Sequence, residues 1–470
     1  MRTFEIILFV LLAIRVVLIP FERRRWHEYF IFVAAVIWGA HIEFEGYRWQ
    51  MIPLYAMLLG MLINALRRYS SQRESTHPRW GLAKTLGMLL LLGIAILPPI
   101  LMPIPQTPAP TGPYPVGTFS LMLVDESRLE LYSNNPDEPR ALMLQVWYPA
   151  EAIGNTEIAP WMEGAEIMGP AIAEYLELPT FFLDHLKYSQ SHAYANAPLA
   201  LDEDVYPLLL FSHGWNGFRA QNTNQMEELA SYGYIVAAPD HTYGSVMTVF
   251  PDGRVAGNNP EALPYDAILP PDEFIFVANL LADQWAGDLS FILDRLSGDY
   301  SGIQLGMLSG RLDVDHVGVL GHSTGGGAAI EFCARDIRCT AVFGMDPYMT
   351  PVSENVLSEG ITQPLLAMFS QFWADNWETK ERGFDRFFGN MQGEKTHLIV
   401  EGTAHFDFSD LPAFSPLAHA IGLKGPLNGK RVLRIINDYT LAFFDEHLRG
   451  ESSNLLNGPS PDYPEVEFIQ

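Results

Sequence analysis

The stretch Leu320–Gly327, LGHSTGGG, constrains the fold of this chain more than any other part of its sequence. It contains Gly-x-Ser-x-Gly centred on Ser323, between the apolar strand pattern Val317–Leu320 and a helical pattern. A serine on a sharp strand-to-helix turn is held in a strained conformation, so its neighbours must be small. Gly321 and Gly325 supply that clearance. The sequence therefore predicts Ser323 as a nucleophile at the carboxyl end of a buried strand.

The chain from Gly117 onwards alternates short apolar segments with amphipathic ones. Most of the apolar segments are continuous, as expected for strands covered on both faces. This alternation predicts an α/β fold with a mainly parallel central sheet and with functional groups at the carboxyl ends of its strands. The predicted strands are Leu142–Tyr148, Leu208–Phe211, Tyr234–Ala238, Val317–Leu320, Ala341–Met345, Leu365–Phe369 and Leu398–Val400, and the predicted helices are Asn224–Ser231, Phe274–Leu296, Ala328–Ala334 and Val432–Leu448.

An oxyanion hole is the second requirement of a serine nucleophile that attacks an ester. The segment Ser212–Trp215 directly follows the strand Leu208–Phe211. In this class of fold, one backbone N–H of such an early loop and the N–H of the residue after the nucleophile form the hole. We therefore predict that the main-chain amides of Trp215 and Thr324 bind the oxyanion.

The base and the acid are expected later in the chain than the nucleophile. His405 lies just past the last predicted strand, where this architecture keeps its base. Asp346 immediately follows the strand Ala341–Met345 and is the preferred acid. Asp375, after the next strand, is its rival, whereas Asp407 is too close to His405 in sequence to reach around its ring. The sequence therefore predicts a triad of Ser323, Asp346 and His405.

The first hundred residues differ from the rest, because they hold four apolar runs. Each run is short for a membrane span, which needs about 20 residues, although about 17 suffice. We nevertheless expect a helical transmembrane region of about four helices, or three if the second run does not span. The runs are Thr3–Ile19, Tyr29–Ile42, Met51–Leu66 and Thr85–Met102.

The charges between these runs predict an orientation. With four spans, the first and third loops share one side, and basic loops favour the cytoplasm. The second loop has only Arg48, beside two glutamates. The catalytic domain would then be extracytoplasmic in a multi-pass membrane protein. The basic residues of the first and third loops are Arg23, Arg24, Arg25, Arg67, Arg68, Arg73, Arg79 and Lys84.

Charge and composition divide the chain further. Residues 1–104 carry 11 basic and 6 acidic residues of the 29 and 55 in the whole chain, which leaves 18 and 49 for the remainder. The excess of acidic residues after residue 104 argues against nucleic acid as a partner, because phosphates bind to basic surfaces. We predict a transmembrane region at 1–102, a proline-rich linker at 103–116, a catalytic domain at 117–450 and a polar tail at 451–470. Of the two cysteines, Cys333 and Cys339, buried thiols are favoured over a bridge.

Several motifs together resemble the platelet-activating factor acetylhydrolase family of the plasma or isoform II type, within the α/β-hydrolase superfamily. The resemblance covers nearly everything after Pro110. The motifs are TGPYPVG, FSHGWNGFR, YIVAAPDH, GHSTGGG, AVFGMDPYM, GTAHFDFSD and LKGPLNGK followed by YTLAFFDEHL. Two features depart from the family: its familiar secreted members lack the apolar runs, and Thr324 replaces a frequent phenylalanine near the acyl site.

The resemblance implies calcium-independent hydrolysis of the sn-2 ester of phospholipids with short or oxidised acyl chains, with no metal and no cofactor. It assigns the same triad and the same two amides. The alternatives are a general carboxylesterase or polyester hydrolase on the same triad, and a non-catalytic membrane sensor of lipid. The segment Ile167–Tyr188 corresponds to the lipid-surface helix of the family, so its apolar side chains either contact a bilayer or cap the sheet. These side chains are Phe181, Phe182, Leu183 and Leu186.

Overall fold

The computed structural model describes residues 1–18, 28–71, 79–151, 156–264, 268–298, 303–376 and 383–469. The basic residues Arg23, Arg24, Arg25 and Arg73, on which the predicted orientation partly rests, lie outside these ranges.

An eleven-stranded sheet forms the centre of the catalytic domain, in the order β13-β12-β11-β10-β9-β5-β6-β2-β1-β4-β3. The six strands from β12 to β6 are parallel to their neighbours, and β2 and β13 flank them antiparallel. The predicted α/β fold with a mainly parallel sheet is confirmed, and all seven predicted strands are present. The strands are β1 Val116–Leu129, β2 Pro139–Pro149, β3 Ile158–Pro160, β4 Gln190–Ala195, β5 Tyr206–Ser212, β6 Ile235–Asp240, β7 Met247–Val249, β8 Val255–Gly257, β9 Leu312–His322, β10 Cys339–Met345, β11 Leu365–Ser370, β12 Lys395–Val400 and β13 Val466–Ile469, of which β7 and β8 form a separate hairpin.

Helices cover both faces of the sheet and give it two separate apolar cores. Helices α7 and α9 pack on one face, and α6 and α13 pack on the other. The chain reverses its direction of winding between β5 and β9, and the loops that follow these two strands meet there. The helices are α1 Thr3–Val17, α2 Tyr29–Ala40, α3 Ile52–Ser71, α4 Arg79–Leu101, α5 Ala165–Tyr175, α6 Thr223–Ser231, α7 Pro271–Leu296, α8 Ile303–Gly306, α9 Thr324–Arg335, α10 Glu354–Glu359, α11 Gln371–Asp375, α12 Phe384–Asn390 and α13 Gly429–Phe444.

The four apolar runs of the N-terminal region form α1 to α4, which share an apolar core of their own. Within the described residues, two helical stretches are long and apolar enough to cross a membrane, Trp49–Tyr69 and Leu82–Leu101. Helices α1 and α2 are shorter, with 15 and 12 residues. Length and composition thus support two spans, and the four-span arrangement stays a prediction.

The N-terminal region is docked on the catalytic domain through the turn between α2 and α3. The Trp49 indole N–H donates to the carbonyl of Phe182 at 3.0 Å, and the Gln50 amide lies 2.9 Å from Nδ1 of His185. At the end of α4, the hydroxyl of Ser415 donates to the carbonyl of Leu101 at 2.6 Å. The helical region therefore contacts the catalytic domain directly.

The proline-rich segment 103–116 also lies against the catalytic domain. The Ser189 hydroxyl donates to the carbonyl of Pro105 at 2.9 Å, and the Asn224 side chain donates to the carbonyl of Pro108 at the same distance. Thr111 bonds the carboxylate of Glu228 through its backbone N–H at 2.9 Å. Bonds of this kind fasten a segment that the sequence alone presents as a stiff, extended spacer.

Two expectations need correction. Within the predicted polar tail, Val466–Ile469 forms β13, which pairs antiparallel with β12 at the edge of the sheet. Cys333 and Cys339 form a disulfide across six residues, with 5.1 Å between their Cα atoms, so the favoured pair of thiols was wrong. The bridge joins the last turn of α9 to the first residue of β10.

Candidate active site

Ser323 lies on a strained turn between β9 and α9. Its φ of 57° and ψ of −125° belong to a conformation that non-glycine residues rarely adopt. A Cβ atom on Gly321 would overlap the carbonyl of Gly325, and one on Gly325 would overlap the carbonyls of Ser212 and His213. No side chain fits at either position, which is the physical reason for the two glycines. The strain keeps the partly exposed Ser323 at the carboxyl edge of the sheet.

His405 and Asp346 meet at the same edge of the sheet. Nδ1 of His405 lies 2.9 Å from Oδ2 of Asp346, and the imidazole side chain is 20% exposed whereas the carboxylate is fully buried. Ser370 donates to the carboxylate twice, from its backbone N–H at 2.6 Å and its hydroxyl at 2.7 Å. Burial raises the pKa of the Asp346 carboxyl to about 7, and the two donors of Ser370 oppose this rise.

An aromatic ring fixes the plane of the imidazole. Trp373, in α11, stacks on His405 with 4.6 Å between the ring centres. Ser370 and Trp373 were not singled out from the sequence. The sequence could have predicted a role for Ser370 in the site. This residue stands at the carboxyl end of β11, where side chains of a parallel sheet converge on the site.

The histidine within the elbow braces the loop that carries His405. Nδ1 of His322 accepts from the Gln221 amide at 3.0 Å, so Nε2 carries the proton of the neutral ring and donates to the carbonyl of His405 at 3.0 Å. Burial, with a contribution from His405, lowers the pKa of His322 to about 3. His322 is therefore neutral at physiological pH, with both ring nitrogens engaged.

The two rival acids have other positions. Asp407 accepts from the backbone N–H groups of Ala404 and Gly425, at 2.7 and 2.6 Å, and so shapes the loop around the base. Asp375 lies exposed at the end of α11. Within the described residues, Asp346 is the carboxylate that His405 contacts.

The loop after β5 lies against the elbow. A Cβ on Gly214 would stand 3.2 Å from the Cβ of Ser323, so the backbone here passes close to the predicted nucleophile. Among the described residues, the backbone N–H of Trp215 has no protein acceptor. Thr324 is the first residue of α9, and its N–H is one of those that a helix leaves without an intrahelical partner. Among the described residues, neither predicted donor therefore has a backbone acceptor, and their role as the oxyanion hole stays a prediction.

A second group of serine, histidine and aspartate side chains, joined by hydrogen bonds, lies inside the fold. The Ser212 hydroxyl lies 2.9 Å from Nε2 of His241, and Nδ1 of this ring lies 2.9 Å from Oδ2 of Asp288. All three side chains are buried, and Arg140 donates to both carboxylate oxygens of Asp288, at 3.1 and 2.6 Å. Nothing in the local sequence pattern predicts this group, because its members come from β5, the loop after β6 and the middle of α7.

The apolar side chains predicted to contact lipid are largely used inside the protein. Leu186 is 2% exposed, so of the two alternatives left open for it, contact with a bilayer is excluded. The ring of Phe182 lies 5.3 Å from that of Trp49, and Leu183 packs beside Trp161 in a small apolar cluster. Phe181 keeps 50% of its surface exposed, so a lipid contact there stays a prediction.

Three side chains of the N-terminal region meet the spacing of metal ligands, namely Glu5, His41 and Glu45. All three have protein partners. Arg48 donates to both oxygens of Glu5, at 2.7 and 2.6 Å, and His41 lies 3.0 Å from Glu45 and 2.5 Å from the Tyr55 hydroxyl. The adjacent guanidinium already supplies the positive charge, so this cluster does not fit a cation.

Comparison of the chain with known families and proteins gives matches that agree with one another. The family described as platelet-activating factor acetylhydrolase, isoform II, matches residues 101–266 and 272–457. The platelet-activating factor acetylhydrolase of Cavia porcellus is 29% identical over 73% of this chain and 78% of its own length. A probable 1-alkyl-2-acetylglycerophosphocholine esterase of Arthroderma benhamiae is 25% identical over 77% and 93%.

Among solved structures, a ferulic acid esterase from Streptomyces cinnamoneus is 30% identical, with a TM-score of 0.64. The match covers 78% of this chain and all of the esterase. The family match begins at residue 101, so α1 to α3 and all but the last residue of α4 lie outside it. Sequence, fold and neighbours agree, and the chain belongs to the platelet-activating factor acetylhydrolase, isoform II, family of ester hydrolases.

Proposed function

We propose that the protein is a membrane-anchored serine hydrolase that cleaves the sn-2 acyl ester of phospholipids with short or oxidised acyl chains. Ser323 is the nucleophile, His405 the base and Asp346 the residue that orients the base. The observation that carries the proposal is the pairing of His405 with Asp346 next to the elbow, where the ring of His405 lies 4.5 Å from that of His322 and Ser323 has the strained conformation. Family membership supplies the substrate class.

The geometry supports a two-step acyl transfer. His405 takes the proton of Ser323 as its oxygen attacks the ester carbonyl, and the amides of Trp215 and Thr324 stabilise the oxyanion. The lysophospholipid alcohol leaves with the proton from His405. The same ring then takes a proton from water as the water oxygen attacks the acyl-enzyme. It returns this proton to the Ser323 oxygen, which leaves as the free hydroxyl when the fatty acid is released. Asp346 holds the ring in the tautomer with hydrogen on Nδ1 and stabilises the imidazolium.

The N-terminal region is proposed to anchor this chemistry at a membrane surface. Its contacts with the catalytic domain, at Phe182 and Ser415, involve the segment that resembles a lipid-surface helix and the loop after the base. A bilayer around α3 and α4 would therefore lie on the side of the domain from which lipid arrives. Apolar contacts such as Phe181 suit this arrangement better than a basic patch, because the body of the domain is acidic.

An extracytoplasmic catalytic domain is part of the proposal. The arginine-rich first and third loops favour the cytoplasmic side, which leaves the domain outside if four helices span. The disulfide between Cys333 and Cys339 is an independent argument, since such bonds persist in oxidising compartments. Because the native cysteines are paired, a cysteine introduced near Ser452 would be the sole thiol. Labelling by an impermeant reagent in intact cells supports the outside location, and labelling only after lysis contradicts it.

A general carboxylesterase is the second candidate function. It is favoured by one observation, the 30% identity and complete coverage of the ferulic acid esterase. The two candidates share the triad and differ in the acyl and alcohol parts of the substrate, so substrate measurements separate them.

A substrate panel tests the proposal. The purified full-length protein is given phosphatidylcholines with acetyl, butyryl and palmitoyl groups at sn-2, together with methyl ferulate and aryl acetates. We expect the highest kcat/KM for the short sn-2 chains and no turnover by Ser323→Ala on any substrate. A preference for methyl ferulate by a factor of ten or more would move the protein to the second candidate.

A further inference from the structure

His213, beside the predicted oxyanion loop, has hydrogen bonds that fix its tautomer. Its Nε2 lies 3.0 Å from the backbone nitrogen of His241 and 2.9 Å from the Ser245 hydroxyl. A backbone N–H can only donate, so Nε2 accepts and carries no hydrogen. The hydrogen of the neutral ring is then on Nδ1, which donates to the carbonyl of Gly214 at 2.7 Å.

The ring is buried and stays neutral. Burial, together with the adjacent His241, lowers the pKa of His213 well below its ordinary value. Trp285 contacts the ring edge-on with 5.2 Å between ring centres. No second protonation state competes with the tautomer at physiological pH.

The carbonyl that His213 holds belongs to the peptide unit whose N–H is the one on Trp215. In a trans peptide the C=O and the N–H point in opposite directions, and the described chain has no cis peptide bonds. The same carbonyl also accepts from the N–H of Gly217 at 2.8 Å. Tying the carbonyl back on one side turns the N–H of Trp215 to the opposite side of the peptide. A Cβ on Gly214 would stand 3.2 Å from the Cβ of Ser323, so this stretch of backbone passes next to the predicted nucleophile.

The buried group Ser212–His241–Asp288 supports His213 from behind. The backbone N–H of His241 is the donor to His213, and its ring is held by Asp288 on one nitrogen and Ser212 on the other. The ring also stacks on Trp285, with 4.2 Å between centres and 6° between planes. A ring held at both nitrogens and on one face keeps its backbone N–H at a fixed position.

We propose that His213 is a positioning residue for the oxyanion hole, which fixes the Gly214–Trp215 peptide so that the Trp215 N–H is aimed at the oxyanion before substrate arrives; this rests on the proposed function. A donor that is oriented in advance costs no reorganisation during the reaction. Without the bond to His213, the N–H of Gly217 is the remaining donor to this carbonyl among the described residues, so the peptide is held less firmly and the N–H is aimed less well at the developing charge. The buried serine, histidine and aspartate thereby acquire a role as a scaffold.

A pair of near-isosteric variants separates positioning from general structural support. The amide nitrogen of asparagine comes close to the position of Nδ1, whereas that of glutamine comes close to Nε2. We therefore expect His213→Asn to restore most of the function that His213→Ala loses, and His213→Gln to restore little. Tyr148→Phe is the stability control, since it removes a buried bond to Ala197, 2.7 Å long, away from the site.

The measurement uses the full-length protein and an aryl acetate, which both candidate functions would cleave. For His213→Ala we expect kcat to fall by about 10² while KM changes less than about threefold, because losing one oxyanion donor costs about 10²–10³. Affinity for a trifluoromethyl ketone, which forms an oxyanion when Ser323 adds to it, should fall by a similar factor. Tyr148→Phe should lower the thermal midpoint and leave kcat within about twofold.

The outcomes are distinguishable. If His213→Ala keeps its kcat, or if the asparagine and glutamine variants behave alike, the positioning role is wrong. If Ser323→Ala still turns over the aryl acetate, the proposed function itself fails, whatever His213 does.

Discussion

Ser323, His405 and Asp346 at the edge of the sheet, and Ser212, His241 and Asp288 inside it, are the same three residue types in two settings. In both groups a ring Nδ1 lies 2.9 Å from an aspartate oxygen. Ser323 sits in a strained turn and is partly exposed, whereas Ser212 ends the regular strand β5 and is buried. The two groups differ in access and backbone conformation rather than in these hydrogen bonds, and on this difference we base the expectation that the group at the edge of the sheet is the catalytic one.

The two aspartates differ just as clearly. Burial disfavours the ionised form of Asp288, but Arg140 and His241 outweigh it and hold the pKa of this carboxyl well below its usual range. Arg128 adds a further bond at 2.9 Å. Within the part of the chain that the structure describes, Asp346 has no arginine partner, and burial raises its pKa. The charge of Asp288 is thus already balanced by fixed cations, whereas that of Asp346 is available to an imidazolium that forms during the reaction.

The largest expected effect is on turnover when each serine is removed. Ser323→Ala should reduce ester hydrolysis by about 10⁴-fold or more, because the nucleophile is lost. Ser212→Ala should leave activity within about tenfold and instead cost about 1–3 kcal/mol of stability, since a buried ring nitrogen loses its partner. Steady-state kinetics measure the turnover of both variants, and thermal unfolding measures their stability. A Ser212→Ala variant as inactive as Ser323→Ala would contradict the assignment of different roles to the two serines.

The acid gives the next largest effect. Asp346→Asn should lower kcat by roughly 10⁴-fold, because an amide donor in its place forces His405 into the wrong tautomer. Asp375→Asn is the matched control and should leave kcat within about twofold, since this side chain is exposed at the end of α11. The kcat of the two variants with one substrate decides the matter. A larger loss for Asp375→Asn would move the acid to the later strand.

For the free energy of unfolding, we expect Asp288→Asn to cost more than Asp346→Asn, the reverse of their expected order in kcat. Asp288→Asn leaves the buried guanidinium of Arg140 without one of its two carboxylates, and breaking such a pair costs about 3–5 kcal/mol. Asp346→Asn removes no partner from a fixed cation, so it should cost no more than about 1 kcal/mol. Thermal midpoints in detergent compare the variants, and an Asp288→Asn variant as stable as the wild type would remove the structural role.

The smallest effect is a change in the pH dependence of stability. The folded pKa of Asp346 is raised from 3.8 to about 7, so the unfolded chain releases this proton first and stability falls as pH rises through that window. The folded pKa of Asp288 is lowered, so its contribution is present above the unfolded value of about 3.9 and is lost below it. Asp346→Asn should flatten the curve above pH 4, and Asp288→Asn should flatten it below. Identical curves for the two variants would contradict the assigned directions.

Much of the fold and of the candidate site follows from local sequence signals. The strands are short continuous apolar segments, and the elbow around Ser323 is defined by its own glycines. His405 and Asp346 are predictable because each follows a strand at the edge where a parallel sheet collects its functional groups. These features depend on neighbours in sequence, which a single chain displays directly.

The remaining features depend on how distant segments pack. The group around His241 needs Asp288 from the middle of α7, and its burial is set by the whole sheet. Leu186 has the pattern of a surface contact, yet the break between α5 and the helical turn at Thr180–Tyr188 directs it inward. The tail strand β13 pairs with β12, a strand about 70 residues earlier in the chain, at the edge of the sheet. The spacing of residues along the chain does not predict such contacts, because they join segments that are far apart in sequence.

Covalent labelling tests the central claim, that Ser323 rather than Ser212 is the reactive serine, most directly. A fluorophosphonate reacts when an activated serine oxygen attacks phosphorus and fluoride leaves, and mass spectrometry of the digested full-length protein locates the adduct. We expect one adduct, on the peptide that contains Ser323, and a labelling rate that falls sharply in His405→Ala. An adduct on another serine, or active protein that stays unlabelled, would contradict it.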